Sequence, residues 1–227
     1  MSCTSTGDPH ITTFSGHKCD LMGRDVYTLV DVPGLTAQTF HCPATSGWVG
    51  ASVNVGIALE ADGQVITIIG NEVEADGVSV GQGSTTIGDV TFEVAPSGRV
   101  DVYGTSGTAI TSHYRATGNI PTGYYQDLYA TAAEQPMSGS NASMCTAELN
   151  MDISGVPSGQ RLFSSAIMTT LEGHCGSITP GGVGTASTPA DASDVCDTNA
   201  LPYSWATDAC EAACPCGDDL SIASCVF

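Results

Sequence analysis

The 227-residue chain reads as mainly β, an antiparallel β-sandwich followed by a small disulfide-rich helical subdomain. Three observations predict this class. Short runs rich in Val, Ile, Thr and Tyr alternate in polarity, glycine-containing turn signals separate them, and half of the ten cysteines fall between Cys196 and Cys225. With 41% hydrophobic residues the chain has enough apolar mass to bury a core.

The strand-like runs are HITTF, DVYTLV, QTFHC, ASVNVGIAL, VITII, VTFEV, RVDVY, AITSHY and YYQDLYA, spaced as in a meander. The connectors EADGQ, NEVEADG and APSGR carry Asp-Gly and Ser-Gly, which favour tight hairpins because glycine tolerates positive φ. Tyr125 and Tyr129 share a strand face beside Tyr124, and packing between strands is expected there rather than sugar stacking. Residues 1–155 therefore form the β domain. Residues 156–193 are read as a loop or linker, since Gly176 to Ser193 is a Gly, Ser, Thr and Pro stretch without periodicity. Residues 194–227 are the cysteine-rich subdomain, where Ser204 or Asp208 would cap a short helix carrying Ala209, Ala212 and Ala213.

Charge excludes whole classes of partner. Five Lys and Arg against 24 Asp and Glu leave a formal charge of -19, which repels phosphate backbones and anionic lipid. Nucleic acid is not an expected partner, and no run approaches the roughly 18 apolar residues of a membrane span. There is no Gly-x-Ser-x-Gly elbow and no Gly-x-x-x-x-Gly-Lys phosphate cradle, so neither a hydrolase triad nor nucleotide binding is expected.

Cys3, Cys19, Cys42, Cys145, Cys175, Cys196, Cys210, Cys214, Cys216 and Cys225 are too many free thiols for a reducing cytosol unless they bind metal. Zinc prefers Cys-x2-Cys pairs, whereas the closest pair here is Cys214-Pro-Cys216, with no histidine at the usual spacing. Disulfides and a secreted or cell-surface location are the expectation, with the pairing left open by spacing alone. Asn141-Ala142-Ser143 is an N-glycosylation sequon that fits the secretory route. The stretch after Met1 lacks a basic and an apolar leader region, and the chain stops two residues past Cys225. A portion of a longer secreted protein, or a processed subunit, is expected.

The densest signal is STGDPHITTFSGHKCDLMGRDVYTLV, residues 5–30. Asp8-Pro9 is chemically unusual, because the aspartate side chain can reach its own carbonyl carbon and proline nitrogen is a better leaving group than an ordinary amide. Asp8, Pro9 and His10 could form a strand-entrance turn, a ligand site or a scissile bond. The stretch resembles the start of a von Willebrand factor type D domain, through Gly7, Asp8, Pro9, His10, Thr13, Phe14, Gly16, Asp20, Gly23, Tyr27 and Leu29. VITIIGNEVEADGVSV, VTFEVAPSGRVDVY and SMCTAEL are similar to later parts of that family, so the resemblance covers roughly residues 3–150.

The resemblance implies a sandwich and an extracellular setting. It also implies that the bond after Asp8 can be cut autocatalytically, as in some mucins. Residues 1–8 need not leave after such a cut, because a disulfide from Cys3 to the sheet, with Cys145 at the far end of the domain as the candidate partner, would tether them. The chain departs from the family where Ser15 replaces an aspartate, where Cys19 replaces an aromatic residue, and where MCTAELNMDISG replaces a cysteine-rich calcium loop. Cys42 is the nearest partner in sequence for Cys19, and Asn150 and Asp152 are the local calcium candidates. The leading expectation is a non-enzymatic structural or adhesive module of a matrix, filament or mucin-like network. Its partners would be copies of itself or other extracellular matrix proteins, with calcium the one cofactor left open. The alternatives are a self-cleaving, cross-linking domain and a calcium- or glycan-binding recognition domain.

Overall fold

The computed structural model describes residues 1–7, 9–16, 18–21, 23–44, 51–105, 107–132, 143–146, 153 and 155–175, with the backbone alone at Cys19 and Asp20. The strands are β1 Ser2–Thr6, β2 His10–Thr12, β3 Lys18–Asp20, β4 Val26–Val32, β5 Leu35–Pro43, β6 Ser52–Ala61 and β7 Gln64–Ile69. They continue as β8 Glu72–Ala75, β9 Val78–Ser79, β10 Gly83–Ile87, β11 Val90–Val94, β12 Arg99–Tyr103, β13 Ala109–Ala116 and β14 Tyr124–Thr131. A 3-10 turn, Ser158–Gln160, and helix α1, Ser165–Cys175, follow.

Asp-Gly makes two of the turns. Asp62 and Gly63 have φ of 50° and 80°, and Asp76 and Gly77 have 48° and 77°. Two successive positive φ values define a type I′ turn, whose twist matches that of the strands it joins. Ala61 accordingly pairs with Gln64 and Ala75 with Val78. NEVEADG is thus more than a connector, because its first half contains β8 and the turn proper is Asp76-Gly77.

Two antiparallel sheets result, one of eight strands in the order β10-β11-β12-β13-β14-β1-β2-β3 and one of six in the order β4-β5-β6-β7-β8-β9. β1 lies inside the larger sheet, between β14 and β2, so the start of the chain is tied to residues far along it. The main core fills the space between the sheets with Ile11, Leu29, Ile57, Leu59, Ile66, Ile68, Phe92, Ile110 and Leu128, each 0 or 1% exposed. A fully buried Leu, Ile or Phe contributes roughly 1.5–3 kcal/mol.

The smaller sheet is covered on its outer face as well. Ser164 caps α1, since its Oγ accepts from Ile167 N–H at 3.3 Å and its carbonyl accepts from Met168 N–H at 2.9 Å. Met168, Leu171 and Cys175 fall on one helical face and are buried against Phe40, Val55 and Ala58. The Arg161 guanidinium donates to Asp25 Oδ1 at 2.7 Å, fixing the segment before the helix to the entrance of β4. The stretch assigned from composition to a linker therefore begins with a packed helical layer, and Gly176 to Ser193 lies outside the described residues. The cysteine-rich subdomain at 194–227, with its Ser204 or Asp208 cap, lies outside them too.

Two disulfides close the described chain. Cys3 bonds Cys145 and Cys42 bonds Cys175, across sequence separations of 142 and 133. The expected Cys19–Cys42 pair is corrected by the second of these. Cys42 points to the outer face of its sheet and meets the last turn of α1 there.

Candidate functional site

The first strand pair places the Gly-Asp-Pro-His motif at a hairpin. Thr6 pairs with His10, Ser5 with Ile11 and Thr4 with Thr12, so residues 7–9 connect β1 to β2. Gly7 has φ of 63°, a conformation open to glycine, and its N–H donates to Asp127 Oδ1 at 3.0 Å. Asp127 in turn accepts from Arg115 Nε at 2.8 Å, an ion pair on neighbouring strands β14 and β13. On the other side of the motif Pro9 is buried, and its carbonyl accepts from Leu21 N–H at 3.2 Å. A Cβ on Gly7 would stand 3.8 Å from His10 Cδ2, so the imidazole rests over the glycine. Both flanks of the motif are thereby anchored. Asp8 itself, with Asn141, Asn150 and Asp152, lies outside the described residues.

Beneath the hairpin a polar cluster joins the two sheets. Asn54 is fully buried, and its Nδ2 donates to Ser5 O, Ser5 Oγ and Gln126 O at 3.2, 3.1 and 3.3 Å. Its Oδ1 accepts from Thr39 Oγ1 at 2.9 Å. A bulge between Phe40 and His41 explains how an asparagine reaches this layer. Phe40 pairs with Gly56 and His41 with Asn54, leaving Val55 as the extra residue, so Asn54 and Ile57 both face the larger sheet. His41 is 1% exposed, and its ring lies 4.8 Å from that of Tyr27. Desolvation pushes its pKa down to about 3, against an upward pull from Asn54.

Tyr124 and Tyr125 are half-buried and pack against the outer apolar cluster. Tyr114 and Tyr124 stack at 5.4 Å, and Tyr129 lies 5.2 Å from His113. Burial is the main cause that raises the Tyr124 hydroxyl to about 12. A groove of about 360 Å³ opens between α1 and the β7–β8 hairpin, walled by Ile69, Glu72, Glu74, Ser164, Ile167 and Thr170. Its two carboxylates disfavour anionic ligands.

The chemistry open to the hairpin follows from the residue types. If an Asp8 carboxylate oxygen bonds to the main-chain carbonyl carbon of the same residue, the C–N bond to Pro9 breaks. The proline nitrogen then leaves as a secondary amine after taking up a proton, and a cyclic anhydride stays on Asp8. His10 is the nearest titratable side chain in sequence to supply that proton. Among the described residues no group of three or more His, Cys, Asp or Glu is arranged to hold a metal ion. No helix among them is long and apolar enough to cross a membrane. Sequence reasoning singled out Asp8, Pro9, His10 and Cys3 but missed Asp127 and Arg115, whose role depends on a strand pairing more than a hundred residues away. No protein-family model matches the chain, and none of the curated proteins compared with it matches either.

Proposed function

We propose that the chain is an extracellular structural or adhesive module on a von Willebrand factor type D-like sandwich. In this reading it helps assemble a cell-surface matrix, filament or mucin-like network with copies of itself or other matrix proteins. The observation that carries the reading is the pair of disulfides, Cys3–Cys145 and Cys42–Cys175, set among the buried residues of both apolar clusters. Such bonds persist in oxidising compartments and are rare in the cytosol. Sugars at Asn141 and calcium at Asn150 and Asp152 belong to the same proposal. The test is to tag the chain in its own cells and fractionate them. A cell-surface or secreted pool that resists alkylation until reduced supports the module, and a cytosolic pool with free, alkylatable thiols overturns it.

A second reading is self-cleavage between Asp8 and Pro9, supported by the anchoring of Gly7 and Pro9 on either side of that bond, which a simple turn shares. A nick there would leave β1 held by its ladder to β14 and by Cys3–Cys145, so the cut would stay hidden until reduction. Incubation at mildly acidic and neutral pH, then reduction and N-terminal mapping, is expected to reveal a new terminus at Pro9 that Asp8→Ala lacks. An intact bond throughout leaves the motif as a turn, and a cut that survives Asp8→Ala points to a contaminating protease.

A further inference from the structure

The sandwich treats its sheet edges unequally. The free side of β4 is closed by returning chain, since Met144 N–H donates to Thr28 O, Cys145 N–H to Leu29 O and Val156 N–H to Val26 O, at 2.9, 2.9 and 2.7 Å. β3 runs for three residues and β9 for two. β10 runs for five, is paired to β11 on one side, and has no described strand on the other. Gly83 to Thr86 are exposed along it.

Edges of this length are normally protected by charge, proline or a covering element. Residues 78–88, VSVGQGSTTIG, contain neither a charged residue nor a proline, in a chain of formal charge -19. Copies of so acidic a chain repel one another over most of their surface, and approach is least opposed where neither carries charge. We propose that β10 is a homotypic docking edge, pairing antiparallel with β10 of a second copy about a twofold axis and continuing the eight-stranded sheet through both. This deepens the assembly reading, yet its test reads association, whereas that reading is tested by cellular location.

The register selects the variants. Gly88-Asp89 is a two-residue loop with Ile87 paired to Val90, and such a loop closes on a hydrogen-bonded pair. Hydrogen-bonded and non-bonded pairs alternate along an antiparallel ladder, so Gly83, Thr85 and Ile87 turn their amides to β11 while Ser84 and Thr86 turn theirs to the open edge. Thr86→Pro removes an outward donor and leaves the β10–β11 ladder its bonds. Thr86→Glu adds a negative charge to the pairing edge of each copy, at a position whose partner on β11 is the uncharged Thr91.

Sedimentation velocity on the full disulfide-bonded chain, from about 10 µM to about 1 mM, is the experiment. The average mass is expected to rise toward that of a dimer, with a midpoint on the order of 100 µM because an edge contact is a small interface. Salt at about 0.5 M is expected to strengthen association several-fold by screening. Each variant is expected to weaken association at least about tenfold, with unchanged far-UV dichroism. A monomer across the whole range, or a dimer that both variants leave intact, overturns the proposal. Should Thr86→Pro lose its fold, Thr86→Glu, which leaves the backbone unchanged, decides.

Discussion

His41 shows how one side chain sets a pH response. Neither ring nitrogen has a hydrogen-bond partner, and the imidazole is held neutral down to a pKa of about 3. In the unfolded chain the same group takes up a proton near pH 6.5. As pH falls below that value the unfolded state binds the proton first, so stability is lost at about 1.4 kcal/mol per pH unit until the folded pKa is reached. His41→Phe is expected to flatten the urea midpoint between pH 4 and 6.5, while the wild-type midpoint falls with acid. Gly23 is a second single-atom constraint, because any Cβ there meets the Tyr27 hydroxyl. Gly23→Ala should cost more than about 2 kcal/mol in chemical denaturation, since a fully packed ring cannot give way. Gly23 and Tyr27 stand out in the sequence only through the resemblance, which does not show that one rests on the other, and the burial of His41 is not legible there. A histidine inside QTFHC can face either side of a strand, and the bulge at Val55 that orients this region breaks the alternation on which a face assignment depends.

At the scale of elements, legibility follows the apolar signal. β6 and β11 alternate bulky residues with small or polar ones, β4 and β7 are rich in Val, Leu and Ile, and all four are bounded by glycine turns, so their pattern exposes them. β1 is SCTST and β10 is GSTTI, whose small hydroxyl side chains show little polarity contrast, and only pairing with neighbours makes them strands. α1 hides for a related reason, as its buried face is Met168, Leu171 and Cys175 within a stretch that composition assigns to a loop. Its contribution is measurable. Leu171→Ala should cost about 2–4 kcal/mol, because Leu171 is 1% exposed and sits over Gly56. Thermal melts of that variant would show a small loss if the helix were a dispensable cover. Cys175→Ser leaves the helix its apolar contacts but removes its covalent anchor, and should lower stability by about 2–4 kcal/mol.

Across the whole molecule, order depends on joining distant parts of the chain. Reduction of both described disulfides should lower the melting temperature well beyond what either Cys-to-Ser pair does alone, and differential scanning calorimetry with and without reductant reads the difference. The sandwich class is legible from strand spacing and turn chemistry, whereas the hairpin site is legible only in its own four residues, since Asp127 and Arg115 reach it through the β1–β14 pairing. That pairing also governs when the protein can become whole during translation. The Met1 ammonium donates to Ala132 O across 131 residues, and β1 occupies the middle of its sheet. At typical elongation speeds of about 5–20 residues per second, β1 waits on the order of ten seconds after emerging before β14 leaves the ribosome. Throughout that wait its two hydrogen-bonding sides lack one partner, while hairpins such as β6–β7 can already form. Nascent chains arrested before β14 should therefore contain a protected smaller sheet and a protease-sensitive first strand.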